Sequence, residues 1–169
     1  MMTPLLAALA LASAGPGDFS PGPVIEDFGP VAAIPGATPI DPEVRFRVAF
    51  DITGAGRDGA PMPGLVTVAR FINMHARAGV EPERMQLAIV IHGADAVRAL
   101  YRAKARPDSA DARLIATLTG LGHRLIVCGQ SAMYQDVYAQ DLPEGVEMAL
   151  SAMTAHALLQ QDGYTLNPF

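Results

Sequence analysis

The single cysteine of this chain, Cys128, sits in Val127-Cys128-Gly129-Gln130-Ser131, at the end of an apolar run and just ahead of a helix-like segment. A helix N-terminus presents unpaired N–H groups and partial positive charge, and both favour a thiolate over a thiol. The thiolate is the nucleophilic form of sulfur, so Cys128 is the residue best placed for covalent chemistry. The competing reading is a buried thiol that packs as a small hydrophobe. With one cysteine there is neither an internal disulfide nor a Cys-x-x-Cys redox pair.

His92, in His92-Gly93 after another apolar run, offers an imidazole for acid/base or polarising work. His75 and His156 fall in helical patterns and read as packed residues or hydrogen-bond partners. No H-E-x-x-H or closely spaced Cys/His cluster occurs, and a Cys128–His92 pair lacks a third ligand, so no metal is expected. Gly54, Gly56 and Gly59 spell G-x-G-x-x-G, but Pro61 and Pro63 follow where a helix should open. His92 also stands where an acidic residue should hold a ribose, so the glycines read as a loop and no cofactor is expected. There is no G-x-S-x-G elbow for a serine hydrolase. Asp136, Asp141 and Glu144 read as surface carboxylates, and Tyr134 and Tyr138, four apart, as packing residues on one helix face.

The elements that must position Cys128 and His92 follow from periodicity. Strand patterns occupy 45–52, 87–91, 125–128 and 146–150, with a short fifth at 164–166. Helical patterns occupy 65–78, 94–103, 111–121, 131–138 and a segment from the N-cap Ser151 to about 161. The runs at 87–91 and 125–128 are apolar throughout, as strands buried on both faces are. Alternating strands and helices call for a mostly parallel sheet of about five strands with helices on both faces. Ligands of such sheets collect beyond the carboxyl ends of the strands, where His92 and Cys128 stand; His123 falls on the opposite edge.

Half of the 169 residues are hydrophobic and 17% are charged, which argues against disorder and for one folded domain. A net charge of −5 leaves no basic patch for a phosphate backbone, so nucleic acid is not an expected partner. The apolar run 5–11 followed by Ala12-Ser13-Ala14 reads as a signal peptide over 1–14, although no Lys or Arg precedes it. Export, as to a periplasm, follows as an expectation. No segment reaches the roughly 18 apolar residues a membrane span needs, so no membrane association is expected once the leader is removed. Residues 15–42, dense in Pro and Gly but carrying Val24, Ile25, Phe28, Val31 and Ile34, read as an arm lying on the surface of a domain over 43–169.

From Val44 onward the chain resembles the DsrE/DsrF-like family of small sulfur-relay proteins. The resemblance rests on order and spacing: His92-Gly93, Cys128-Gly129-Gln130-Ser131, the Asp141-Leu142-Pro143-Glu144-Gly145-Val146 turn, and Leu159-Gln160 ahead of Gly163-Tyr164. Asn73 is similar to an asparagine of that family's first helix. The resemblance implies a three-layer α/β/α fold, assembly as homotrimers or homohexamers, and a cysteine that carries sulfur as a persulfide.

Two functions from different classes follow. In the first, Cys128 accepts sulfane sulfur as a carrier or sulfurtransferase, with His92 as acid/base, a thiol or persulfide protein as donor or acceptor, and Gly93, Gly129, Gln130, Ser131 and Asn73 lining the site. In the second, the chain is a non-catalytic oligomeric module that binds a small ligand, or a thiol redox sensor.

Overall fold

The computed structural model describes residues 15–168, and the leader expected over 1–14 lies outside them. Five strands form one sheet: β1 (Phe46–Ile52), β2 (Met85–Ile91), β3 (Arg124–Cys128), β4 (Val146–Ala149) and β5 (Thr165–Asn167). Five α-helices connect them: α1 (Pro63–Arg77), α2 (Ala94–Ala105), α3 (Ala110–Gly120), α4 (Gly129–Tyr134) and α5 (Ala152–Gln161). The strand order is β4-β3-β2-β1-β5 and every pairing is parallel. The α/β fold is the one the sequence called for, with a wholly parallel sheet.

Handedness explains the layers. Parallel neighbours need crossovers, and these are right-handed. The chain steps from β1 to β4 in one direction, which places α1 to α4 on one face of the sheet. It then returns across the whole sheet to β5, beyond β1, and this reversal places α5 alone on the other face. Side chains alternate along each strand. Phe50, Leu87, Ile89, Leu125 and Val127 therefore join Leu65, Ile72, Leu100, Leu114 and Leu118 in a thick apolar layer. Ala49, Ala88, Val90 and Ile126 meet Ala155, Leu159 and Tyr164 in a thin one.

Ser109 and Ser151 cap α3 and α5 by accepting hydrogen bonds from the N–H groups of Ala112 and Thr154. The helix expected over 131–138 is shorter and starts earlier, because β3 runs straight into α4 at Gly129 and the chain leaves helical geometry before Asp136, which has a positive φ of 53°. Tyr138 therefore lies outside α4 and shares no helix face with Tyr134.

The arm is pinned to α1. Asn73 Oδ1 accepts from the backbone N–H of Val24 and Ile25 at 3.2 and 2.9 Å. Its amide nitrogen donates to the carbonyls of Ile25, Phe28 and Gly29 at 3.0, 2.9 and 3.1 Å. Arg77 donates to carbonyls of Ser20, Pro21, Gly22 and Val31. Ile25 is thereby carried into the main core.

Candidate functional site

Sheet register brings the chemistry together. Ile91 pairs with Val127 and Cys128 with Ala149, so the next residue of β2's chain, His92, leaves the sheet level with Cys128. Cys128 follows Ile126, and Asp51 follows Ala49, at the two-residue spacing of one face. Both therefore stand on the face that α5 covers, at the carboxyl edge.

Cys128 is 5% exposed and unpaired. Burial pushes its thiol up, but hydrogen bonds from the Ser131 hydroxyl and from the backbone N–H groups of Ser131, Ala152 and Gln130 outweigh that cost and hold it below its ordinary value. The donors come from two helix starts: Gln130 and Ser131 open α4, and Ala152 opens α5. Ser131 Oγ also accepts from the N–H of Gly93 at 3.2 Å, which ties the β2–α2 turn to the thiol. Gly93 has φ +79° at the N-cap of α2, a conformation that a side chain disfavours. Gly129 meets a different constraint, since a Cβ there would lie 2.6 Å from the Ala149 carbonyl oxygen.

His92 Nε2 lies 2.9 Å from Asp51 Oδ2, and His156 Nε2 lies 2.7 Å from Asp51 Oδ1. Burial pushes the Asp51 carboxyl up, and the hydrogen bonds and positive charge of the two rings outweigh it, so the group stays below the usual carboxylate value. A carboxylate only accepts, so both Nε2 atoms carry hydrogen. His156 Nδ1 is buried without a partner. His156 is therefore anchored through Nε2–H alone.

Of the residues singled out from sequence, the structure gathers Cys128, Gly129, Gln130, Ser131 and Gly93 around the sulfur and places His92 on the same edge. Gln130 is exposed, with its amide 3.5 Å from the Leu150 carbonyl. Asn73 is a correction: it is fully buried in α1 and its amide is spent on the arm, so it lines no ligand site. Asp51 was missed, and His156, read as a packed residue or hydrogen-bond partner, is the second hydrogen-bond partner of that carboxylate. Their signals are faint: a lone carboxylate in the α5-facing phase of a buried strand, and a histidine inside the stripe Ala152, Ala155, Leu159.

Several hollows lie apart from the thiol. One of about 600 Å³, lined by Ala103, Lys104, Ile115, Thr119 and Gly145, opens at the amino edge. Another of about 380 Å³ lies between the arm and α1. Among the described residues no group of three or more His, Cys, Asp or Glu is arranged to hold a metal ion. No helix among them is long and apolar enough to cross a membrane.

The model of the DsrE/DsrF-like family matches residues 49–168. No curated protein matches. Among solved structures, the chain is similar to MTH1491 from Methanobacterium thermoautotrophicum, a protein of unknown function, with a TM-score of 0.55 and 22% identity over 72% of this chain and 97% of that one. At that identity the likeness is one of fold.

Proposed function

The chain belongs to the DsrE/DsrF-like family, and on that premise we propose that it is a carrier of sulfane sulfur, held as a persulfide on Cys128. The observation that carries this reading is the ring of donors around a buried sulfur: one hydroxyl and three backbone N–H groups that favour its anion. A thiol with a merely structural role needs no such ring. The same donors would hold a terminal persulfide anion, which is why the arrangement suits a carrier.

His92 serves as the acid/base at the edge of the site. Exposed Met133, Tyr134, Leu150 and Met153, on the segments that frame Cys128, give an apolar rim for a thiol- or persulfide-bearing donor or acceptor protein. Assembly with further copies of the chain, and residence in an exported compartment, complete the proposal.

The test is the alkylation rate of Cys128 against pH in the folded protein, with intact mass recorded first. A thiol titrating below the unperturbed value of about 8.5, or already bearing one extra sulfur atom, is expected. The buried position of Cys128 favours the second reading, a scaffold with an inert thiol. Labelling that occurs only on unfolding would establish that one instead.

A further inference from the structure

The carrier reading leaves Asp51 and His156 without a task, yet they form the most tightly organised polar cluster of the carboxyl edge. Their positions are set by distant segments: Asp51 by β1, His92 by the end of β2, and His156 by α5, 105 residues beyond Asp51. The two rings are the charged groups that act on the Asp51 carboxylate. Strand β5, on its other flank, brings Thr165, Leu166 and Asn167, none of which titrates. Asp95, in the first turn of α2, is exposed, and Cys128 faces the same side from β3.

The rings differ. His156 is locked, since its Nε2–H is bound and its Nδ1 is buried without a partner. The His92 side chain is 32% exposed, and its Nδ1 is not among the buried, unpartnered atoms. One ring reaches its surroundings, and the other has its free nitrogen buried.

Building on the carrier reading, we propose that Asp51 and His156 are positioning residues: His156 orients the Asp51 carboxylate, and that carboxylate fixes Nε2–H of His92 and leaves Nδ1 as the one atom of the ring that exchanges a proton. The step it serves is balanced. The Cys128 thiolate attacks the outer sulfur of a donor persulfide, R–S–SH. A Cys128–sulfur bond forms, the donor S–S bond breaks, and its electron pair leaves on R–S⁻. His92 Nδ1–H gives its proton to R–S⁻, so the products are Cys128–S–SH, R–SH and a neutral ring. During the step the imidazolium is stabilised by Asp51, whose second oxygen is occupied by His156 and cannot drift away.

The experiment follows persulfide formation on the full chain by intact mass, with glutathione persulfide as donor, across pH. Asp51→Asn keeps the shape and removes the charge. It should slow loading at neutral pH by about tenfold or more and move the alkaline limb of the profile to lower pH. His156→Gln retains an N–H able to reach Asp51 and should rescue most of the rate that His156→Leu loses. Alkylation by iodoacetamide, which uses no proton donor, controls for folding and for the thiolate. Wild-type pH profiles in both Asp51→Asn and His156→Leu would overturn the proposal.

If the wild-type chain takes up no sulfur, the carrier reading fails, and the positioning claim is judged separately by imidazole NMR. Nε2 of both rings should carry hydrogen bound to Asp51, and Asp51→Asn should change the Nε2 resonances of both. An Nε2 without hydrogen in either ring, or Nε2 resonances indifferent to Asp51→Asn, would refute it.

Discussion

The two faces of the sheet are built to different rules. The face under α1 to α4 is thick and apolar, and where it needs polarity, as at Asn73, every polar atom is matched to backbone. The face under α5 is thin and made of alanines and a few larger residues, and its carboxyl edge holds Asp51, His156 and Cys128. Both come from one event, the reversal between β4 and β5. Apolar burial is concentrated where four helices cover the sheet. Ionisable groups can be held on the other side because a single helix leaves them in reach of solvent and partners.

The sharpest way to break this division is Asn73→Ala. The change strands backbone groups of Val24, Ile25, Phe28 and Gly29 and should cost about 3 kcal/mol or more, read as a lower urea midpoint. The folded fraction should keep the pH profile of Cys128 alkylation. A profile that moved with the arm would mean that the two faces are coupled.

His123 gives a pH test of nearly the same size. It is buried at the amino end of β3, and burial pushes its ring from the ordinary 6.5 down to about 4. Between those values the unfolded chain binds a proton that the folded one refuses, so stability falls as pH drops from about 6.5 towards 4. The loss approaches about 3 kcal/mol. His123→Phe should flatten that slope in urea titrations, and an unchanged slope would place the ring in a wetter site.

What was legible in the sequence follows the same division. β2 and β3 read correctly because Leu87-Ala88-Ile89-Val90-Ile91 and Leu125-Ile126-Val127 have no other stable home than a strand buried on both faces. The carboxyl-edge rule then placed His92 and Cys128 from topology alone. Asp51 and His156 were not legible, because their meeting depends on where α5 crosses the sheet after the reversal, which no local pattern encodes. Asn73 misled for the opposite reason. Its position was recognised, but its partners are carbonyls and N–H groups of an irregular segment, which carry no side-chain signature. The end of α4 turned on one left-handed residue, Asp136, inside a plausible helical pattern.

Gly129→Ala probes the join between the faces. A methyl group 2.6 Å from the Ala149 carbonyl must push the β3–α4 turn away from β4, at about 1–3 kcal/mol. The same shift should misalign the N–H groups of Gln130 and Ser131, raise the thiol, and slow alkylation at neutral pH. Lost stability with an unaltered thiol would show that the donors tolerate the movement and that the ring around sulfur is looser than its geometry implies.

The smallest effect is the most discriminating for the thin face. Arg124 Nε and Nη2 donate to Glu147 Oε1 and Oε2 at 2.9 and 2.7 Å, beside Ile126, on a surface that α5 leaves partly open. The hydrogen bonds from Arg124 hold the Glu147 carboxyl below its usual value, so the pair contributes above that value and is lost as pH falls through the lowered one. Both side chains are more than two-fifths exposed, and a pair of that kind contributes less than about 1 kcal/mol and is screened by salt. Arg124→Ala should therefore shift the urea midpoint slightly at low salt and hardly at all at high salt. A cost of several kcal/mol, indifferent to salt and dependent on protein concentration, would mean that the pair is buried in solution by another molecule. The thin face would then owe its open look to the absence of that molecule, because one partner lost from a covered ion pair leaves the other charged and unpaired.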